Sequence, residues 1–201
     1  MKKGLIYIHG KGGTAEEADH YRRLLPNYDV VGLDHKAKTP WEAQKEFSCF
    51  YDLFGKQHSE VSIVANSIGA FFAINAFMDK KIEKAYFISP IVNMENLIIN
   101  MMKRENITER QLEEQGSIET VYGETLSWEY LSWVRKHPVC WNIPSKILYG
   151  SKDNLQSLDT IQTFADKIGA TVTVMKDGEH WFHTEEQMEF LDNWIKIQSD
   201  K

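Results

Sequence analysis

Between Val61 and Met78 the chain reads VSIVANSIGAFFAINAFM. Its first five residues, Val61–Ala65, are a short apolar run rich in β-branched side chains, the pattern of a strand covered on both faces. From Ile68 to Met78 the residues are apolar nearly all round, the pattern of a helix buried against a sheet. Only Asn66 and Ser67 stand between, so strand must pass into helix through a tight turn. Outward from this unit, apolar runs of strand length keep alternating with longer segments of helical period, which marks a parallel α/β sheet.

The other runs are Leu5–His9, Asp29–Asp34, Ala85–Ser89, Lys146–Tyr149 and Thr171–Met175. With Val61–Ala65 they predict a six-stranded, mostly parallel sheet with helices on both faces. Thr39 and Pro40 open a helix that carries Phe47, Phe50, Tyr51 and Phe54 at i, i+3, i+4 and i+7, a stripe expected in the core. Ile161, Phe164, Ala165 and Ile168 repeat that spacing, and Gly169 can end their helix in the left-handed conformation. Thr184 with Gln187 begins a last helix with Met188, Leu191 and Ile195 on one face.

Residues 91–139 break the alternation, being too long for a simple crossover and lacking a convincing strand. They read as an inserted helical cap. Ser127 caps a helix running to about His137, and Thr108 with Gln111 caps a shorter one that ends before Gly116.

At 201 residues, all of this fits one domain spanning residues 1–201. Lys and Arg number 23 against 29 Asp and Glu, a net charge of -6, the wrong sign for a nucleic-acid partner or an anionic membrane surface. The apolar run Leu5–Ile8 is too short for a signal peptide, and no stretch approaches the roughly 20 apolar residues of a membrane span. Cys49 and Cys140 imply no disulfide framework. A cytoplasmic protein without membrane insertion is expected.

Four features at four strand ends carry the chemistry. Ser67 has small neighbours in Ala65-Asn66-Ser67-Ile68-Gly69, as a nucleophile on a strained strand-to-helix turn requires. His9-Gly10-Lys11-Gly12-Gly13 follows the first strand and can offer backbone N–H groups to an oxyanion. The expected pair is the N–H of Ile68 and that of Lys11, with Gly12 as the alternative to Lys11. Asp153 follows the fifth strand and His180 the sixth. Taken singly, Ser67 could be a helix cap, His180 a loop histidine and Asp153 a turn residue. Carboxyl ends of strands in an open α/β sheet converge on one crevice, however. There a serine needs a histidine to take its proton and a carboxylate to orient that histidine.

Over essentially the whole chain these residues resemble the α/β-hydrolase superfamily, in particular its small esterase-like and lipase-like serine hydrolases with a helical cap. The resemblance implies Ser67 as nucleophile, His180 as base, Asp153 as acid, and Ile68 with Lys11 as oxyanion donors. His9-Gly10 matches the HG-type loop, and Asn66 and Gly69 complete the motif around the serine. It also implies that the two earliest strands of the larger fold are absent. Ala65 stands where the common motif has glycine, and Asn66 where histidine is frequent.

The activity implied is carboxylic ester hydrolysis through an acyl-enzyme, with a small-molecule ester as partner and no cofactor or metal. Leu97, Ile98, Met101 and Met102, with Trp128, Leu131, Trp133 and Val134, make the expected cap apolar and suggest small or medium uncharged acyl groups. Two other readings compete. Gly10, Gly12 and Ala15, with Asp34, satisfy the G-x-G-x-x-A form of a dinucleotide-binding oxidoreductase, although Ser67, Asp153 and His180 then have no joint role. The same fold could also serve as a non-catalytic binding module. His180 and His183 at i, i+3 lack a third metal ligand.

Overall fold

Runs of β-branched and aromatic residues form the strands, and the helices begin and end where cap residues permit. A computed structural model describes residues 2–199; Met1, Asp200 and Lys201, which the expected domain includes, lie outside the described residues. In chain order the elements are β1 (Lys3–Ile8), α1 (Ala18–Leu24), β2 (Tyr28–Gly32), α2 (Pro40–Phe54), β3 (Val61–Asn66), α3 (Ile68–Ala76), β4 (Ala85–Ile88) and α4 (Met94–Arg104). They continue with α5 (Glu109–Gln115), β5 (Ser117–Glu119), β6 (Thr125–Ser127), α6 (Trp128–Lys136), β7 (Ser145–Gly150), α7 (Leu158–Ile168), β8 (Thr171–Met175) and α8 (Glu185–Ser199). The chain divides into two units, one of the residues up to Val92 and from Cys140 on, the other Asn93–Val139.

The first unit is built on six strands in the order β2-β1-β3-β4-β7-β8. Every pairing is parallel, so the expected sheet, described as mostly parallel, is wholly so. The chain leaves β1 for β2 on one side and returns to β3 on the other, which opens a crevice at the carboxyl ends of β1 and β3. Strand side chains alternate between faces. Leu5, Tyr7, Val64, Tyr86, Ile88 and Leu148 pack with Tyr21 of α1 and with Leu191, Trp194 and Ile195 of α8. Ile6, Ile8, Ile63, Phe87 and Ile147 turn to the opposite face and are just as buried.

Local sequence explains the helix ends. Thr39 Oγ1 accepts from the Glu42 N–H while the Glu42 carboxylate accepts from the Thr39 N–H at 3.0 Å, a closed capping box with Pro40 in the first turn. Of the expected core stripe on α2, Phe47 alone is fully buried, and Phe50, Tyr51 and Phe54 are half-buried. The latter stack near the surface, Phe50 on Phe54 and Phe54 on His58. Residues Gly69 to Ala76 of α3 are all buried, and α7 ends at Gly169 with φ 68°. No helix among the described residues is long and apolar enough to cross a membrane.

The second unit contains α4, α5 and α6, capped as expected by Ser127 and by the Thr108–Gln111 box. It also contains a strand pair, which corrects the expectation of a purely helical insertion. β5 and β6 pair antiparallel from Ser117↔Ser127 to Glu119↔Thr125, closed by a turn in which Gly123 has φ 77°. Three-residue strands are too short to show an alternating pattern, so the hairpin left no signal. Arg135 on α6 ties this unit together, with Nε on Glu95 at 2.7 Å and its two terminal nitrogens on Glu109 at 2.7 and 2.8 Å.

Candidate active site

The turn after β3 places Ser67 at φ 51° and ψ -121°, a backbone that a side chain disfavours and that persists only where surroundings hold it. The end of β4 does so from both sides. Ser67 N–H donates to the Ile88 carbonyl at 3.0 Å, and the Ser67 carbonyl accepts from Ile91 N–H at 3.1 Å. That carbonyl also accepts from Ala70 N–H at 3.1 Å. A trans peptide sets carbonyl and following N–H in opposite directions, so the Ile68 N–H faces away from these contacts, at the electropositive start of α3.

His180 and Asp153 reach the same point from β8 and β7. Ser67 Oγ lies 2.7 Å from His180 Nε2, and His180 Nδ1 lies 2.7 Å from Asp153 Oδ2. Asp153 Oδ1 accepts from the N–H groups of Leu155 and Gln156 at 2.8 and 3.2 Å. With its side chain wholly buried and that of His180 16% exposed, the carboxylate is an acceptor on every side. The proton on His180 Nδ1 is thereby fixed, leaving Nε2 as an acceptor for the serine hydroxyl.

The loops carrying the two groups are laced together. Ser151 N–H donates to Met175 O at 3.0 Å and Lys152 N–H to Gly178 O at 2.8 Å, while Asp153 N–H to Gly150 O at 2.9 Å closes a turn within the Asp153 loop. Gly150 makes this approach possible, since a Cβ there would stand 2.5 Å from both the Gly178 and the Glu179 carbonyl oxygens. Gly150→Ala is expected to push the His180 loop away from Asp153. Turnover should fall about 100-fold, as misplacement of about 1 Å can do, with a loss of about 1–3 kcal/mol in stability from overpacking. Steady-state kinetics and urea unfolding of this variant check both effects.

The loop after β1 lies against the serine: a Cβ on Gly10 would be 3.1 Å from Ser67 Cβ. Gly13 N–H donates to the Gly10 carbonyl at 3.2 Å, closing a turn with Lys11 and Gly12 at its corners and Gly12 at φ 76°. This bond turns the Gly13 amide into the loop. Asn66 donates from Nδ2 to the Tyr7 hydroxyl at 2.8 Å, and Tyr7 donates in turn to Glu17. Burial, with the nearby Tyr21 and Glu17, pushes the Tyr7 phenol well above its ordinary range, so it remains a donor. Gly69 is buried in the first turn of α3.

Other histidines have separate occupations. His183 stacks on Trp181, and its Nδ1 meets the Trp181 carbonyl. His20 pairs with Asp192 at 2.7 Å, and His58 with Asp29 at 2.8 Å. His35 differs, because it stacks on His9 with ring centroids 4.0 Å apart and planes 13° from parallel. Neither Tyr7 nor His35 belongs to a local motif, and Glu17 belongs only to a capping box with Thr14. Tyr7 and Glu17 are ten residues apart and His9 and His35 twenty-six, and each pair meets only in the folded chain.

Burial, reinforced by His9, lowers the His35 imidazole below its ordinary 6.5, against the opposing pull of the His9 carbonyl and of the Glu46 and Asp34 carboxylates. The unfolded chain therefore takes up this proton first as pH falls. The contribution to stability is complete above about 6.5 and is lost as pH drops from there toward the lower folded value. His35→Gln should flatten the fall in urea midpoint between about pH 7 and about pH 5 relative to wild type. An equal fall in both proteins would refute it.

No family model matches this sequence, and no curated protein matches it. Solved structures do. Mouse alpha/beta hydrolase domain-containing protein 10 superposes with a TM-score of 0.77 at 16% identity, over 98% of this chain and 89% of that one. Est1E from Butyrivibrio proteoclasticus gives 0.74 at 15%, over 100% and 89%. An alpha-beta serine hydrolase homologue from Coxiella burnetii gives 0.65 at 13%, over 98% and 84%. At these identities the likeness is one of fold, and the fold is that of the α/β hydrolases.

Proposed function

We propose that this chain is a serine hydrolase, acting on carboxylic esters with small or medium uncharged acyl groups. The observation that carries the reading is the hydrogen-bonded line from Ser67 Oγ through His180 to Asp153, two contacts of 2.7 Å, on a serine whose backbone is strained. That combination has a chemical use and little structural one.

In the proposed reaction Ser67 Oγ attacks the ester carbonyl carbon as its proton passes to His180 Nε2. The carbonyl oxygen becomes an oxyanion, held by the N–H groups of Ile68 and of Lys11 or Gly12. Collapse expels the alkoxide, which takes the proton from His180 and leaves an acyl-serine. Water then gives its proton to His180, attacks the acyl carbon and releases the acid, and the proton returns to Ser67. Asp153 holds the imidazole in its tautomer and stabilises it while charged. Residues 91–139 are read as a helical cap insertion of the single domain.

The test is labelling with a fluorophosphonate, followed by kinetics on aryl esters of increasing chain length beside matching amides and charged esters. Labelling of Ser67 with kcat/KM greatest for the short uncharged esters is expected. A protein that neither labels nor turns over any ester would refute the proposal, and faster turnover of the amides would replace esters as the substrate class.

A further inference from the structure

Two imidazoles brace the loop that follows β1, and their hydrogen bonds determine which way its peptides face. His9 Nδ1 lies 2.8 Å from the Gly10 carbonyl, which accepts again from Gly13 N–H at 3.2 Å. The described residues contain no cis peptide, so the doubly held Gly10 carbonyl turns the Lys11 N–H to the opposite side. His9 keeps this hold only while its ring stays in place. His35 stacks on that ring at 4.0 Å, and its Nε2 lies 3.3 Å from the His9 carbonyl. Behind His35 stand the edges of Phe47 at 5.0 Å and Phe72 at 6.1 Å, both tilted by more than 60°. His35 thus grips His9 by ring and by backbone, and is itself wedged by α2 and α3.

We propose that His35 is a positioning residue for the hydrolysis assigned to Ser67, directing the Lys11 N–H at the oxyanion by fixing the His9 ring and the His9 carbonyl. The inference rests on the reading of Ser67 as nucleophile. A carbonyl oxygen can only accept, so His35 Nε2 carries the proton and donates. His35 Nδ1 is buried with no hydrogen-bond partner, so a second proton there would meet no acceptor, and the burial that disfavours the charged ring acts in the same direction. Residues that merely filled space would need neither a particular nitrogen nor a particular tautomer.

That distinction supplies the test. A glutamine amide reaches where Nε2 sits, whereas an asparagine amide reaches only where Nδ1 sits. His35→Asn should lower kcat for a short aryl ester about tenfold or more, with KM within about twofold, since the interaction is made to the transition state. His35→Gln should remain within about threefold of wild type. Affinity for a trifluoromethyl ketone, whose serine adduct carries an oxyanion, should weaken in His35→Asn in step with kcat.

If His35→Asn does not fold, His9→Phe keeps a stacking ring while removing the Nδ1 donor, and should show the same fall in kcat at constant KM. Equal kcat in the Asn and Gln variants, or His9→Phe with wild-type kcat, would overturn the assignment. So would unchanged ketone affinity. Turnover that survives in Ser67→Ala would instead overturn the nucleophile on which the inference stands, and an inactive wild type would overturn both.

Discussion

Ser67→Ala is expected to abolish fluorophosphonate labelling and to lower kcat for a short-chain aryl ester by about 10⁴-fold or more. The substitution removes one oxygen from a half-buried side chain whose hydrogen-bond partner is His180. The backbone bonds that hold residue 67, to Ile88 and Ile91, involve no side-chain atom and remain. Thermal unfolding should therefore stay near that of wild type while turnover disappears. His180→Ala should lose nearly as much, and the double variant little more, because the groups act as a unit. Turnover of Ser67→Ala at the wild-type rate would mean that another group attacks the substrate.

Asp153→Asn should cost about as much through one proton in the wrong place. Asp153 Oδ1 serves the N–H groups of Leu155 and Gln156, and Oδ2 serves His180 Nδ1. Asparagine has a single oxygen, and the two backbone donors claim it. The amide NH₂ must then face His180 Nδ1, which can satisfy it only by accepting, so the ring proton moves to Nε2 and confronts the serine hydroxyl. The base is lost with the geometry intact, and a fall in kcat of about 10⁴-fold is expected. A crystal structure of the variant would locate the ring, and kinetics would read the loss. Activity above a tenth of wild type would move the acid elsewhere. The acidic residues beside His180 in sequence, Asp177 and Glu179, are already engaged, Asp177 with Lys152 at 3.0 Å and Glu179 with His183 at 3.5 Å.

Much of the molecule is written locally. All six strands of the main sheet lie within two residues of the runs read from sequence; the four central ones are almost wholly buried, and a strand buried on both faces must be continuously apolar. The caps at Thr39, Thr108, Ser127 and Gly169 are equally local, since each satisfies groups three or four residues away. The positions of Ser67, Asp153 and His180 at strand ends follow from the same reading, as chain order and strand length alone set them.

Distances were not legible in the same way. That Ser67, His180 and Asp153 stand in line depends on the order β2-β1-β3-β4-β7-β8 and on the backbone contact that Gly150 allows, both products of pairing between distant segments. The short β5–β6 hairpin left no periodic signal, and the half-buried ring stack of Phe50 on Phe54 has the spacing of a core stripe although it lies near the surface. His35 is the plainest case. By itself it is a histidine after a strand, and only the parallel pairing of β1 with β2, with α2 and α3 packed behind, sets its ring on His9. Sequence by itself determined the strands of the main sheet, the helix caps and the candidate chemistry, since those depend on neighbours along the chain. Tertiary structure alone decided which groups share a proton, because hydrogen bonds depend on distance in space.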